Sequence, residues 1–244
     1  MRQLPSTEQA TRSEIQLLIG LGPVIQATKG VASDECEKLY NHARDLCESV
    51  GDSTQLFVAL VNLWLLTTQR GRLASAKELA GQLLATATAG AEPGLVLQAH
   101  HAGWATCFFR GEFSEVLAAV DHGCGLYHPE KHANHKFIYA FHDPIHCGLV
   151  FKGLAFWFLG DYAAAAATCA ASVQRARELE HPFTLALTTA YANRLHYFEG
   201  QHDLLAVSAE ELIELCKREG FPNWLAFGMV HRGYALAQNG DEEG

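Results

Sequence analysis

The chain has 244 residues, of which 49% are hydrophobic and 18% charged, and 18 basic against 27 acidic residues give a formal net charge of -9. This composition excludes disordered and collagen-like classes, and an acidic chain without a basic cluster lacks the positive face that nucleic-acid binding requires. The apolar runs are too short for a membrane span and the N-terminus lacks the apolar segment of a secretory signal, so we expect a cytoplasmic protein with no membrane partner.

The cysteines point to the same compartment. Seven of them are scattered along the chain without a Cys-x-x-Cys pair. An odd, scattered set is typical of small buried side chains in a reducing compartment. We therefore expect neither disulfides nor thiolate zinc sites.

The first predicted helix begins at Ser6, because Ser6-Thr7-Glu8-Gln9 matches a capping box. Within it, Gly20-Leu21-Gly22 partly matches a dinucleotide-binding fingerprint, but no strand precedes it, and Pro23 favours a kinked helix instead. From there, glycines recur at positions 30, 71, 111, 160, 200 and 240, with separations of 41, 40, 49, 40 and 40 residues. The sequence is therefore an internal repeat of about 40 residues with one insertion of nine.

Each recurring glycine is interpreted as a tight turn between two helices. Glycine adopts the left-handed conformation that ends a helix, and Asp161, directly after Gly160, can cap the helix that follows. Ala76 and Ala165 stand five residues after turn glycines, where the two helices of a hairpin would approach closely. Second boundaries alternate with these turns near residues 51, 90, 180 and 220, and at most of them a proline opens the next helix.

These boundaries predict the fold class. Apolar residues between them recur at three- to four-residue spacing, and no segment shows strand alternation. We predict an all-α, right-handed α-solenoid of about five and a half helical hairpins, built from about eleven helices. We expect one domain over 1–244, with hairpins over 6–51, 53–90, 93–127, 144–180 and 182–220, a half hairpin over 222–240 and a histidine-rich insertion over 128–143.

The turn Gly-Asp-Tyr-x-x-Ala at 160–165 resembles the tetratricopeptide repeat (TPR), although the period of about 40 residues exceeds the 34 of that family and implies longer helices. The chain more closely resembles the solenoid region that follows an NTPase domain in bacterial signalling proteins beginning with a class III nucleotide cyclase domain. It is also similar to the solenoid of maltose-regulon type activators. The segments that carry the resemblance are Ala27-Thr28-Lys29-Gly30, Ala99-His100-His101-Ala102, Leu126-Tyr127-His128-Pro129 on through His132 and His135, and His142-Asp143-Pro144.

The resemblance implies a regulatory module that binds a protein or small ligand within a larger signalling protein. The chain lacks the cyclase metal-binding carboxylates and any G-x-x-x-x-G-K-[ST] phosphate loop, so we expect neither cyclase nor NTPase activity in it. Residues 222–239 supply the first helix of a hairpin whose partner is missing, so we expect a fragment. The uncovered side of that helix predicts a homo-oligomer formed through the C-terminal end.

The insertion suggests a different function. His132 and His135 are three residues apart, so a helical turn would direct both imidazoles to one side. His142 and Asp143 follow, and His101 is predicted to face the groove from the preceding hairpin. Such a cluster could hold Zn²⁺ or another divalent metal and lower the pKa of a bound water toward ~7, which would support hydrolysis of esters or phosphoesters.

A structural interpretation competes with the metal site. Asp143 before Pro144 is typical of a helix N-cap, and loop histidines commonly bond to backbone groups. A histidine-rich tract indicates metal binding only by its composition, so the sequence favours a binding module over an enzyme and assigns no catalytic residue.

The second candidate site is the concave surface of the solenoid. The residues predicted to line this ligand-binding groove are His101, Phe108, Cys147, Trp157, Arg194, Tyr197 and Tyr234. Rigid aromatic residues and an arginine anchor peptides or small ligands, although such rings also fit interhelix packing. Arg194 favours binding, because a charge in an apolar helix needs a carboxylate or a ligand beside it. We therefore predict a protein segment or a small effector as the partner.

Overall fold

Across residues 7–90 and 92–240, which the computed structural model describes, the chain forms twelve helices and no strand. They are α1 (Thr7–Lys29), α2 (Asp34–Val50), α3 (Ser53–Gln69), α4 (Leu73–Gly90), α5 (Pro93–Phe109), α6 (Phe113–Leu126), α7 (His135–Ile138), α8 (Pro144–Phe158), α9 (Tyr162–Glu178), α10 (Pro182–Phe198), α11 (His202–Glu219) and α12 (Pro222–Gln238). The all-α prediction is confirmed, and the helix beyond the expected eleven is the single turn α7, inside the insertion. None of these helices is both long enough and apolar enough to cross a membrane.

The helix boundaries follow from local chemistry. The six recurring glycines all have positive φ, between 66° and 90°. Asp161 accepts a hydrogen bond from the backbone N–H of Ala164 at 3.1 Å, so the predicted cap of α9 is confirmed. Proline occupies the first turn of α5, α8, α10 and α12, where its missing N–H leaves no hydrogen bond unmade. The capping box predicted at Ser6 lies outside the described residues.

The chain divides into two compact units. The first contains the described residues up to Arg110 together with His128–Ala140, and the second contains Gly111–Tyr127 and the described residues from Phe141 onward. In the first unit, each helix from α1 to α4 packs against the next helix in the chain. The pairs α1–α3 and α3–α5 are also in contact. In the second, α6 packs against α8, each helix from α8 to α12 packs against the next, and α8–α10 and α10–α12 also touch. Both units are therefore built from sequential helical hairpins.

The core of the first unit includes a close helix approach that depends on glycine. Tyr40 is buried among Leu39, Leu63 and other apolar residues of α2 and α3. A Cβ on Gly22 of α1 would collide with the Tyr40 hydroxyl. α1 runs through Gly22 and Pro23 as one helix, so Gly22 serves to admit the Tyr40 ring.

The cysteines are free thiols, as expected. Cys124 is exposed and Cys107 half-buried, while the other five are buried. Burial raises the pKa of Cys47 and Cys216 to about 11 and that of Cys169 to about 12. These thiols are therefore protonated at neutral pH.

Candidate functional site

The predicted metal-binding residues are distributed over the two units. His101, His132 and His135 belong to the first unit, whereas His142 and Asp143 belong to the second. The hydrogen bonds within each unit determine which ring nitrogen and which carboxylate oxygen is available for a ligand.

The insertion packs against helices of the first unit. Its last residues include Tyr139, which is buried and meets the ring of Phe57 on α3 edge-on, with centroids 5.9 Å apart. A Cβ on Gly94, at the start of α5, would lie 3.1 Å from the His135 ring and 3.6 Å from the His132 ring. Glycine at this position lets the two imidazoles, whose centroids are 4.8 Å apart, rest on the first turn of α5.

The amide of Gln98 joins two of the predicted metal ligands. Its Oε1 accepts from His101 Nδ1 at 3.1 Å, and its Nε2 donates to His135 Nδ1 at 2.9 Å. In a neutral imidazole, a donating Nδ1 leaves a lone pair on Nε2, and an accepting Nδ1 leaves a proton there. Nδ1 of His101 thus carries the ring proton, whereas in His135 the proton is on Nε2.

His132 has the same tautomer as His135. Its Nδ1 accepts the backbone N–H of His128 at 3.1 Å, which places the ring proton on Nε2. Metal binding by either residue would require these hydrogen bonds to be replaced. The contacts within the first unit favour a structural role for both histidines, and the metal site stays a prediction.

Asp143 is a buried carboxylate at the start of α8. Its Oδ1 accepts from the backbone N–H groups of Ile145 and His146 at 3.0 and 3.4 Å and lies 2.8 Å from His146 Nδ1, while its Oδ2 accepts from the Tyr127 hydroxyl at 2.8 Å. Burial acts to raise the pKa of Asp143, but the hydrogen bond and charge of His146 and the hydrogen bond from Tyr127 bring it below its usual value. Asp143 is therefore an ionised N-cap whose two oxygens are both engaged.

Two further residues of the second unit have metal-binding atoms. His142 and Cys147 are buried, and their ligand atoms lie within 4.8 Å of each other. This pair alone supplies two of the three or four protein ligands that zinc uses.

An aromatic ladder runs along the helix ends beside the Gly160 and Gly200 turns of the second unit. It consists of Phe113, Trp157, Phe158, Tyr162, Tyr197, Phe198 and Tyr234. Its ring centroids are 4.5 Å apart for Phe113–Phe158, 5.4 Å for Phe158–Phe198, 5.5 Å for Phe198–Tyr197 and 4.5 Å for Tyr197–Tyr234. Four of the rings, Phe158, Tyr162, Tyr197 and Phe198, are 37 to 58% exposed.

The ladder contains some of the predicted groove residues and not others. Trp157, Tyr197 and Tyr234 belong to it. His101, Phe108 and Cys147 are each less than 9% exposed, so they pack inside their units.

Arg194, the remaining predicted groove residue, lies among aromatic rings. Its guanidinium carbon is 4.6 Å from the centroid of Tyr191 and 5.6 Å from that of Phe227. Among the described residues it forms no ion pair and no hydrogen bond. Burial raises the pKa of Tyr191 to about 12 although the Arg194 charge acts to lower it. Arg194 is thus held by cation–π contacts that satisfy none of its N–H donors.

His231 on α12 lies beside the same rings. Its centroid is 6.5 Å from that of Phe227, the residue is 9% exposed, and its Nδ1 has no hydrogen-bond partner among the described residues. Burial, and then the charge of Arg194, lowers the pKa of His231 to about 4. The imidazole is therefore neutral at pH 7.

Sequence reasoning missed several of these residues. Phe227 and His231 are four residues apart, so helical spacing alone places them on one side of α12, but nothing local indicates that this side meets Arg194. Gln98 likewise precedes His101 by one helical turn. Gly94 follows Pro93 in a helix start, a position where sequence alone suggests only a cap.

Comparison with known proteins agrees with the fold. No family model matches the chain. It is 22% identical over 237 residues to an uncharacterized protein of Rhizobium meliloti, and the matched region is 96% of this chain and 23% of that protein. The chain thus spans about a quarter of the length of the curated relative it matches.

Two solved structures have a similar fold. Both contain the nearly identical TPR-like repeats of a kinesin light chain candidate from Podospora anserina. One, a variant with a single substitution, has a TM-score of 0.56 at 13% identity and covers 89% of this chain and 99% of that one. The other has a TM-score of 0.53 at 15% identity and covers 88% of this chain and 96% of that one. The chain is therefore an all-α, TPR-like repeat protein.

Proposed function

We propose that the chain is a binding module whose second unit binds an extended segment of a partner protein along the aromatic ladder. The observation that supports this is the exposure of rings that contact one another in series. Contiguous apolar area is rarely left uncovered, and aromatic residues commonly dominate the energy of protein interfaces.

The dimensions of the ladder favour an extended peptide over a compact effector. Its centroid steps of 4.5 to 5.5 Å connect rings from α6, α8, α10 and α12. These steps set the upper limit of the ladder at about six residues of extended chain at ~3.3 Å each. A small effector would cover only part of it.

The wider context that we propose is a regulatory module inside a larger signalling protein, without cyclase or NTPase activity of its own. The bacterial relative supports this, because the region it shares with this chain is only 23% of its length. A metal-dependent hydrolase would need His132 and His135 as ligands, and their Nε2 protons favour the binding function instead.

Self-association is a further part of the proposal. Met229 and Val230 on α12 are 60% and 69% exposed. Trp224 of the same helix is buried, and its ring centroid lies 6.0 Å from that of Tyr191 and 5.5 Å from that of Phe227. The candidate surface for a second copy is therefore the face of α12 that includes Met229 and Val230.

Peptide selection tests the ladder. Random peptides displayed on phage would be selected on the immobilised protein, and their affinities measured against Tyr197→Ser and Phe158→Ser. We expect each substitution to weaken binding by about tenfold, since loss of an interface aromatic typically costs more than 1 kcal/mol.

Val207→Ser is the matched control, because it removes a side chain of α11 that is 62% exposed and belongs neither to the ladder nor to the α12 face. It should leave the affinities unchanged. Selected peptides that bind all variants equally, or a selection that enriches none, would refute the proposal.

A further inference from the structure

Arg194 on α10 and His231 on α12 are two polar residues that lie beside the same aromatic ring. Both lie next to the ring of Phe227, with the guanidinium carbon of Arg194 at 5.6 Å and the imidazole centroid of His231 at 6.5 Å from its centroid. The charge of Arg194 also contributes to the lowered pKa of His231, which agrees with their position beside the same ring.

Arg194 is half-buried, and its N–H groups have no acceptor among the described protein atoms. A guanidinium carries five N–H groups, and within the described part of the chain none of those on Arg194 donates a hydrogen bond to a protein atom. The rings of Tyr191 and Phe227 lie within 4.6 and 5.6 Å of its carbon, and an aromatic carbon face accepts no conventional hydrogen bond from its N–H groups. The partner that fits its edge is a planar anion accepting two parallel hydrogen bonds.

His231 adds a second unmatched group. It is nine-tenths buried, and its Nδ1 is shielded from solvent without a partner among the residues described. A buried polar atom without a hydrogen bond destabilises the protein, so a ligand that bonds to this nitrogen gains affinity.

We propose that Arg194 and His231 together bind a carboxylate group attached to an apolar body. The single charge of a carboxylate matches the single guanidinium, and neutral His231 can donate one N–H to it. Tyr191, Phe227 and Trp224 supply the apolar surroundings for the rest of the ligand. This inference rests on the proposed binding function and names the chemical group that the second unit recognises.

Proton uptake is the expected signature of this site. Two helices pack against α12: α10 brings Arg194 and Tyr191, and α11 brings Glu210, which pairs with Arg232 at 2.6 Å. A bound carboxylate would neutralise the effect of Arg194 and raise the pKa of His231 from its value of about 4. At a pH between the His231 pKa of the free protein and the higher pKa of the complex, binding takes up a proton. The affinity therefore increases as the pH falls from 7 toward 5.

Calorimetric titration with phenylacetate tests the site, with phenylacetamide as its neutral analogue and inorganic phosphate as a competing anion. We expect phenylacetate to bind, and at pH ~5.5 more tightly than at pH ~7. Arg194→Gln should weaken binding by about tenfold or more, since hydrogen bonds to charged groups contribute about 1.5–3 kcal/mol. Arg232→Gln is the matched control, because it removes a neighbouring charge from α12 outside the site.

His231→Phe separates the two groups. It keeps a ring of similar size and should abolish proton uptake while leaving weaker, pH-independent binding of phenylacetate. Comparison of N-acetylphenylalanine with phenylacetate then identifies the source of the carboxylate. Tighter binding of N-acetylphenylalanine indicates a peptide C-terminus. Equal binding of the two compounds indicates a free acid.

Several results would overturn the inference: phenylacetamide binding as well as phenylacetate, phosphate binding more tightly than either, or Arg194→Gln behaving as wild type. If selected peptides bind the ladder while phenylacetate does not bind at all, this inference fails and the proposed function stands. If phenylacetate binds while Tyr197→Ser changes no peptide affinity, the ladder proposal fails and the carboxylate site stands.

Discussion

Asp143 illustrates how a single residue can fit two interpretations of a sequence. Its position beside His142 fits a metal site, and its position before Pro144 fits an N-cap. The carboxylate accepts two backbone N–H groups and the Tyr127 hydroxyl, and it pairs with His146. Its own N–H donates to the Thr184 hydroxyl on α10 at 3.0 Å, so the cap also joins α8 to the next hairpin.

Replacing Asp143 with asparagine tests the contribution of its charge. Asparagine keeps one acceptor for the cap but loses the anionic acceptor that faces His146 Nδ1 and the Tyr127 hydroxyl. We expect the free energy of unfolding at neutral pH to fall by about 1–3 kcal/mol. Asp161→Asn, an exposed cap with one hydrogen bond to Ala164, is the control and should change little.

The pH dependence of this loss follows from the lowered pKa of Asp143. A carboxyl whose pKa is lower in the folded state stabilises the fold above its unfolded pKa of about 4 and loses that contribution as the pH falls through the folded pKa. Urea unfolding should therefore show a constant difference between wild type and Asp143→Asn from pH 7 to about 5, which shrinks below about pH 4. A difference that persists unchanged at lower pH would contradict this account.

At the scale of helices, close approach between α8 and α9 depends on Gly153. A Cβ at this position would collide with Cys169 Sγ and lie 3.0 Å from the backbone nitrogen of Cys169. The backbone of α9 cannot yield as a flexible side chain would. Gly153 therefore sets the spacing of this helix pair.

Gly153→Ala should lower the free energy of unfolding by about 1–3 kcal/mol through overpacking. Gly233→Ala, in α12 of the same unit, has open space around the new methyl group and should stabilise the protein by about 0.5–1 kcal/mol because alanine favours helix. Thermal and urea unfolding measure both changes. Equal effects of the two substitutions would show that the α8–α9 distance is not limiting.

The helices themselves were predictable because their boundaries are local. Gly160 has positive φ, Asp161 caps α9 and Pro182 opens α10, and each of these can be read from a few neighbouring residues. The single-turn helix α7 was not predicted, and its first residue, His135, packs beside Gly94 of α5, about forty residues earlier in the chain.

The candidate sites were predictable only in part, because many of their contacts join residues that are distant in sequence. The sequence placed Trp157, Tyr197 and Tyr234 on one predicted groove, and these three rings belong to the ladder. Phe113 and His231 were not identified, since their neighbours lie on helices that are distant in sequence. The tautomers of His132 and His135 depend on hydrogen bonds that spacing cannot reveal.

For the whole molecule, self-association can be tested separately from ligand binding. Sedimentation at tens of micromolar should show a dimer or larger species for the wild type and a monomer for Val230→Lys, because a charge on an exposed apolar face opposes its burial. Leu17→Lys, which alters a side chain 74% exposed on α1, is the control and should leave the association unchanged. A wild type that sediments as a monomer throughout would rule out this interface.

The distribution of thiols has a practical consequence for such experiments. Five of the seven cysteines are buried, and burial raises the pKa of Cys47, Cys169 and Cys216, so maleimide reagents, which attack thiolates, should modify them slowly. Cys124, at the end of α6, is the exposed one; desolvation raises the pKa of its thiol too, so its preference for the reagent rests on access from solvent. A fluorophore attached there would give a natural single-site label on the helix whose first residue, Phe113, begins the ladder, so that peptide docking could be followed without engineering a new attachment point.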